Sequence, residues 1–202
     1  HPSLNKNKLK SFEFKSDSPE PKLFKFFSTE ISPKTPNLKI TGDYSFSDLT
    51  SLDDALAMAL SRIEGNLWLS ELTSLSDSPE HIDLAKKLAS QEYLDHLGSL
   101  ESLGEVVAEA LSRHEGYLNL DGLTTLSDAA AEALSKHDDN LKLDGLTSLS
   151  HSAAEALSKH KGTLRLEDLK SLSDAAAKAL AQKPGKFSVP DRIEKQIQKH
   201  IK

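Results

Sequence analysis

LNLDGLTTLSDAAAEALSKHDD (residues 118–139) is followed, one residue on, by LKLDGLTSLSHSAAEALSKHKG (residues 141–162). A chain that says nearly the same thing twice is built from repeating units, and the period decides the architecture. Working outward from this pair, matching segments begin at Tyr44, Leu67, Asp95, Leu118, Leu141 and Leu164, with a closing segment at Phe187. The spacing from Leu118 to Leu141 recurs at every interval but one. The exception runs from Leu67 to Asp95 and holds five extra residues within SDSPEHIDLAKKLASQEY (76–93).

Apolar residues keep step with this period. Two residues after each start come Phe46, Leu69, Leu97, Leu120, Leu143, Leu166 and Val189. Five after come Leu49, Leu72, Leu100, Leu123, Leu146 and Leu169, and eight after come Leu52, Leu75, Leu103, Leu126, Leu149 and Leu172. Positions zero and two alternate, so both side chains share one face of a short strand. The segment from Asp128 to His137 is rich in helix formers, and Ala130, Ala133, Leu134 and His137 recur at helical spacing. Ser127 and Asp128 suit its N-cap. Gly65, Gly116, Gly162 and Gly185 share a column near its far end, where a left-handed residue is expected to close the helix; Asp139 takes that column once.

One such unit cannot bury its own leucines. Stacked against copies of itself it can, with each buried Leu contributing roughly 1.5–3 kcal/mol. The expectation is a mixed α/β chain in which strand, turn, short helix and turn repeat about six times.

The pattern LxLxxLxxL followed by a short helix, as in LNLDGLTTL (118–126) and LKLDGLTSL (141–149), resembles the leucine-rich repeat family across residues 38–190. The resemblance implies a right-handed β/α solenoid with a parallel sheet on one face and short helices on the other. Leu123, Leu146 and Leu169 lie near where the family carries its turn-forming Asn ladder, so this chain departs from it. The repeat period is similar to that of certain bacterial surface repeats, whose Phe and Cys columns are also missing.

The flanks differ from the body. Residues 1–37 are Pro-rich and basic, and are expected to cover the first coil or to act as a flexible linker. In residues 191–202, Ile193, Ile197 and Ile201 fall four apart, the pattern of an amphipathic capping helix or of a basic helix that binds a membrane or a partner. The chain begins with His1 rather than Met, as a processed or truncated product would. Within the body, Pro79 is placed to start a helix longer than its neighbours, buried through Leu84, Ala85 and Leu88.

Charge narrows the partner classes. The net charge of −6 is the sum of +4 in residues 1–40, +4 in residues 183–202 and −14 between them. Phosphate contacts demand dense Lys and Arg, so nucleic acid is a poor fit. No apolar run approaches the roughly 18–20 residues of a membrane-spanning helix. Cysteine is absent, which removes thiol chemistry and disulfides.

Three columns carry ionisable groups. His114, His137 and His160 could suggest a metal ladder, but helices roughly 8–10 Å apart would hold the rings too far from a common ion. The alternative is that each imidazole meets unpaired carbonyls at a helix C-terminus. Asp121, Asp144 and Glu167 are expected to crowd on neighbouring strands, each disfavouring the charge of the next. Three open carboxylates fall short of a calcium cage. No G-x-S-x-G, P-loop or H-E-x-x-H occurs, and the serines repeat with the scaffold as caps and turns. No cofactor and no enzymatic activity are expected.

The outward strand positions are where the units diverge. Trp68, His96, Asn119, Lys142 and Arg165 follow the strand starts, and Tyr117 precedes one. Trp, Tyr and Arg are enriched in binding hot spots. These residues are the candidate binding strip of a scaffold recognising a protein partner; a structural spacer without a specific ligand is the alternative.

Overall fold

A computed structural model describes residues 40–201. The alternation read from the sequence sets the strands. Leu67, Leu69, Leu118, Leu120, Leu141, Leu143, Leu164 and Leu166 are completely buried, while Trp68, Asn119, Lys142 and Arg165 between them reach the surface. In chain order the first elements are β1 (Ile40–Thr41), β2 (Tyr44–Ser45), α1 (Asp54–Ser61), β3 (Ile63–Glu64) and β4 (Leu67–Trp68). Next come β5 (Ser74–Leu75), α2 (Pro79–Ala89), β6 (Ser102–Leu103), α3 (Glu105–Leu111), β7 (Leu118–Asn119) and α4 (Asp128–Leu134). The last are β8 (Leu141–Lys142), α5 (His151–Ser158), β9 (Leu164–Arg165), α6 (Asp174–Leu180), β10 (Phe187–Ser188) and α7 (Asp191–Gln198).

The protein is mixed α/β, with seven helices and short parallel strands among the described residues. β7, β8, β9 and β10 form a four-stranded parallel sheet in sequence order. Their register pairs Leu118 with Leu141, Leu141 with Leu164, and Leu164 with Phe187. Equivalent positions of successive units therefore meet directly. Each helix packs on the next in sequence, from α1 to α7. The inward leucines and the helix alanines, including Ala130, Ala131, Ala153, Ala154, Ala176 and Ala177, join one apolar core.

Helix starts follow the sequence closely. Ser127, Ser150 and Ser173 each accept the backbone N–H three residues on, at 3.1, 2.9 and 3.1 Å. Pro79 opens the long helix α2 after the N-cap Ser78, and Leu84, Ala85 and Leu88 are buried from it. At α3 the column holds Gly104, which has no side chain to cap with. Asp77 of the preceding unit substitutes, accepting from Val106 N at 2.9 Å and Val107 N at 3.0 Å. A Cβ on Gly104 would stand 2.2 Å from that carboxylate, so the missing side chain makes room for the cap.

Two expectations need correction. The helices do not end on glycines: α4, α5 and α6 close at Ser135, Lys159 and Ala181, all in right-handed conformation. The glycine column lies beyond: Gly65 and Gly116 take positive φ, and at Gly65, Gly162 and Gly185 adjacent backbones nearly touch. A Cβ on Gly162 would sit 2.1 Å from Asp139 O of the neighbouring unit. Asp95 is also not the strand start of the third unit. Leu94 is, being 1% exposed and bridged in parallel to Leu118. The segment from Leu94 to Leu97 is one residue longer than Leu118 to Leu120, so Asp95 and His96 both sit between the two inward leucines.

Residues 1–37 lie outside the described residues. At the other end, Ile193 and Ile197 of α7 are buried, whereas Ile201 lies past the helix and is 47% exposed. No helix among the described residues is long and apolar enough to cross a membrane.

Candidate functional site

Parallel pairing sets the outward residues side by side. Asn119 is in register with Lys142, Lys142 with Arg165, and Arg165 with Ser188. Neighbouring parallel strands lie about 4.8 Å apart, so these side chains form one row. The acidic column lies next to it. Lys142 Nζ donates to Asp121 and stands 3.7 Å from Asp144, and Arg165 pairs with Asp144 at 3.1 Å. Ser188 Oγ donates to Glu167. Asp121 and Asp144 do not simply repel, because the Lys142 ammonium stands between them. The hydrogen bond to Asp121 holds the Lys142 ammonium above its ordinary range.

The same carboxylates also turn the chain. Asp121 Oδ1 accepts Asp144 N at 3.0 Å, and Asp144 Oδ1 accepts Glu167 N at 3.0 Å, each bond reaching the next unit. Hydrogen bonds to charged groups contribute about 1.5–3 kcal/mol each. The turn lacking an Asn column is therefore satisfied by an acidic ladder. At the strand entry, Asp43 accepts Asn66 N at 2.7 Å and Asn140 accepts Thr163 N at 3.3 Å. Asn119 likewise works inside the scaffold, donating to Asp95 O at 3.3 Å and accepting Asp121 N at 3.1 Å. Lys142, Arg165 and Asn119 are thus largely engaged with the chain itself.

The aromatic part of the strip is different. Trp68 is half-buried, and its ring centre lies 6.5 Å from that of His96, tilted by 51°. Burial pushes the His96 imidazole below its ordinary range, so that ring is a neutral wall for the indole. Tyr117 is 39% exposed and immediately precedes Leu118. With Leu94 bridged to Leu118, Tyr93 occupies the equivalent place one unit earlier, and it is 66% exposed. Reading the third unit from Asp95 had hidden Tyr93. The cue was present, since in YLDHL (93–97) the pair Leu94 and Leu97 brackets two polar residues.

The sheet is interrupted beside Trp68. No strand pairing joins β4 to the segment at Leu94; β4 pairs with β2, and Leu94 with Leu118. The Gln91 amide bridges the gap, accepting Leu67 N at 2.7 Å and donating to Leu67 O at 3.2 Å. One side chain thereby replaces the backbone partner that the insertion removes.

Gln91 opens a buried polar column that continues once per unit through His114, His137, His160 and Lys183. His114 Nδ1 meets Ala89 O and His137 Nδ1 meets Ser112 O, both at 3.2 Å, carbonyls at the end of the preceding helix. The His137 and His160 rings stack at 6.1 Å and 8°, closer than helix spacing suggested. Lys183 Nζ donates to His160 O and, at 2.8 Å, to Gly162 O. The column's flanking members, Gln91 and Lys183, went unread although they keep its spacing. Among the described residues no group of three His, Cys, Asp or Glu side chains is arranged to hold a metal ion.

No family model matches the chain, and no curated protein matches it.

Open hollows lie on the surface of the described residues. One, of about 490 Å³, lies beside the ends of α3 and α4 and is lined by Glu109, Arg113, Glu115, Lys136, Asp138 and Asp139 among others. Another, of about 290 Å³, lies between α1 and α2 around Met58, Arg62 and Pro79. Arg113 is engaged with Glu109 at 3.0 Å and Asp138 with Lys161 at 3.1 Å. Ser112 and His114 also line the first hollow, but Ser112 Oγ donates to Glu109 O at 2.9 Å and His114 Nδ1 meets Ala89 O at 3.2 Å, so each is engaged with the backbone. The chemistry available at the strip is contact: aromatic faces, carboxylates and cations presented at fixed spacing.

Proposed function

We propose that the chain is a non-enzymatic scaffold that recognises another protein through the outward residues of its parallel strands. The architecture proposed with it is a right-handed, leucine-rich-repeat-like solenoid of about six coils, with α7 as its C-terminal cover. Register between equivalent positions of successive units supports the solenoid, and burial of Ile193 and Ile197 supports the cover. The observation carrying the recognition role is the exposure of Tyr93 and Tyr117 at equivalent places in neighbouring units, beside the half-buried Trp68. Large aromatic side chains left at the surface of a well-filled core are typical anchors of protein interfaces. The binding strip of Trp68, His96, Tyr117, Asn119, Lys142 and Arg165 is therefore redrawn around Trp68, Tyr93 and Tyr117, with His96 as support.

The test is affinity capture by the immobilised chain, compared with a Trp68→Ala, Tyr93→Ala double variant. The variant should lose reproducible partners while its thermal melt is retained. Recovery of the same proteins by both would refute the proposed surface. A specific observation favours a structural spacer for the later units: Lys142 and Arg165 are paired internally with Asp121 and Asp144. A spacer predicts no reproducible partner from either form.

A further inference from the structure

We propose, resting on the recognition role above, that the surface of the first four units binds an extended, lysine- or arginine-bearing segment of a partner protein. Negative charge is concentrated at the first units of the strand face. The strands of these units and their immediate flanks (residues 42–48, 65–71, 92–98 and 116–122) carry Asp43, Asp48, Glu71, Glu92, Asp95 and Asp121. They carry no Lys or Arg of their own; Lys87 of α2 reaches Gly65 O and Lys142 pairs with Asp121, while Glu71, Glu92 and Asp95 have no ion pair to a Lys or Arg among the described residues. The matching segments of the later units (139–145, 162–168 and 185–191) mix Lys142, Arg165 and Lys186 with Asp139, Asp144, Glu167, Asp168 and Asp191. A cationic segment is attracted most strongly to the first half, whereas in the later units Lys142 and Arg165 already occupy Asp121 and Asp144.

The aromatic residues lie in the attractive half. Leu94 and Leu118 are bridged, so Tyr93 and Tyr117 project from adjacent parallel segments with backbones about 5 Å apart. An ammonium or guanidinium over a ring face within about 6 Å is held by cation–π attraction. Glu92 and Asp95, both exposed, flank Tyr93 and supply the countercharge. Trp68 lies across the interrupted pairing from this segment, with His96 as its uncharged neighbour. A neutral peptide would gain the aromatic contacts without the charge attraction, and an acidic one would be repelled.

Trp68 is the chain's single tryptophan and reports directly on this surface. The experiment titrates the full chain with an octalysine peptide and follows Trp68 emission. A saturable change that weakens as salt is raised is expected. Octaglutamate and an uncharged Gly-Ser octapeptide should leave the emission unchanged. Tyr93→Ala should raise the Kd about fivefold. Glu92→Gln combined with Asp95→Asn should raise it about tenfold. Glu132→Gln combined with Glu155→Gln, on exposed faces of α4 and α5, changes net charge equally and should leave the Kd within twofold. No response to octalysine, or equal loss in both double variants, overturns the proposal. A response to the uncharged or acidic peptide overturns the basic-segment assignment while the recognition surface stands. Failure of the surface itself is read separately, from capture by the Trp68 and Tyr93 variant.

Discussion

Acidification should dismantle the buried histidine column, and His160 is where the effect is largest. Its ring is wholly buried, stacked on His137 at 6.1 Å, with the Lys183 ammonium held at its own carbonyl. Burial, then the Lys183 charge, then His137 push its pKa down to about 4 from the ordinary 6.5. The folded state therefore refuses a proton that the unfolded chain accepts between those values. Stability is fully present above pH 6.5 and is lost as pH falls towards 4, by roughly 3 kcal/mol for this one group. Urea unfolding followed by circular dichroism at pH 7.5, 6, 5 and 4 measures it. The comparison is with His160→Gln, an uncharged replacement of the kind the column already uses at Gln91. Groups remote from His160 contribute alike to both proteins, so the wild type should lose roughly 3 kcal/mol more than the variant. Parallel stability curves would refute the assignment of His160 as a buried neutral imidazole. Lys183→Met should make the loss smaller and end it at a higher pH, because removing the second cause of the depression brings the folded pKa closer to the unfolded one.

Three further outcomes follow from the same contacts. Leu143→Ala, at a completely buried position, should cost about 2–5 kcal/mol in a denaturant titration. Gln91→Leu strips Leu67 of both backbone partners; with about 1–3 kcal/mol for each buried group left unsatisfied, faster hydrogen exchange at the Leu67 amide and a lower melting temperature are expected. Asp144→Ala removes the acceptor for Glu167 N and the partner of Arg165, and should cost about 2–3 kcal/mol, whereas Asp144→Asn keeps the backbone acceptor and should cost less than half of that.

Period, strand positions, N-caps and the long α2 were legible because each is set by local spacing. Leu118 must lie inward if Leu120 does, and Ser127 must cap if a helix follows it. The insertion was legible as an insertion, but its exit register was not. Counting back one regular period from Leu118 lands on Asp95, whereas burial selects Leu94, because an apolar side chain gains more from the core than a regular count does. That one-residue slip concealed Tyr93. The Gly column was visible and half of its cause was legible: Gly65 and Gly116 take the positive φ expected, whereas the conflict at Gly162 is with Asp139 O of the preceding unit, and only packing brings the two together.

The polar columns show why a repeat sequence yields its scaffold more readily than its site. A side chain that recurs in every unit can bond to its own neighbours one unit away, as Asp121 does to Asp144 and Asp144 to Glu167. Recurrence thus marks groups engaged by the stack, including the cations Lys142 and Arg165 that pair with those carboxylates. A residue unlike its column-mates has no such built-in partner. Trp68 beside Ser45, and Tyr93 and Tyr117 where other units place Asp, Asn or Thr, break their columns without being absorbed by the core. The aromatic departures, rather than the regular charges, are therefore the groups left available to another molecule.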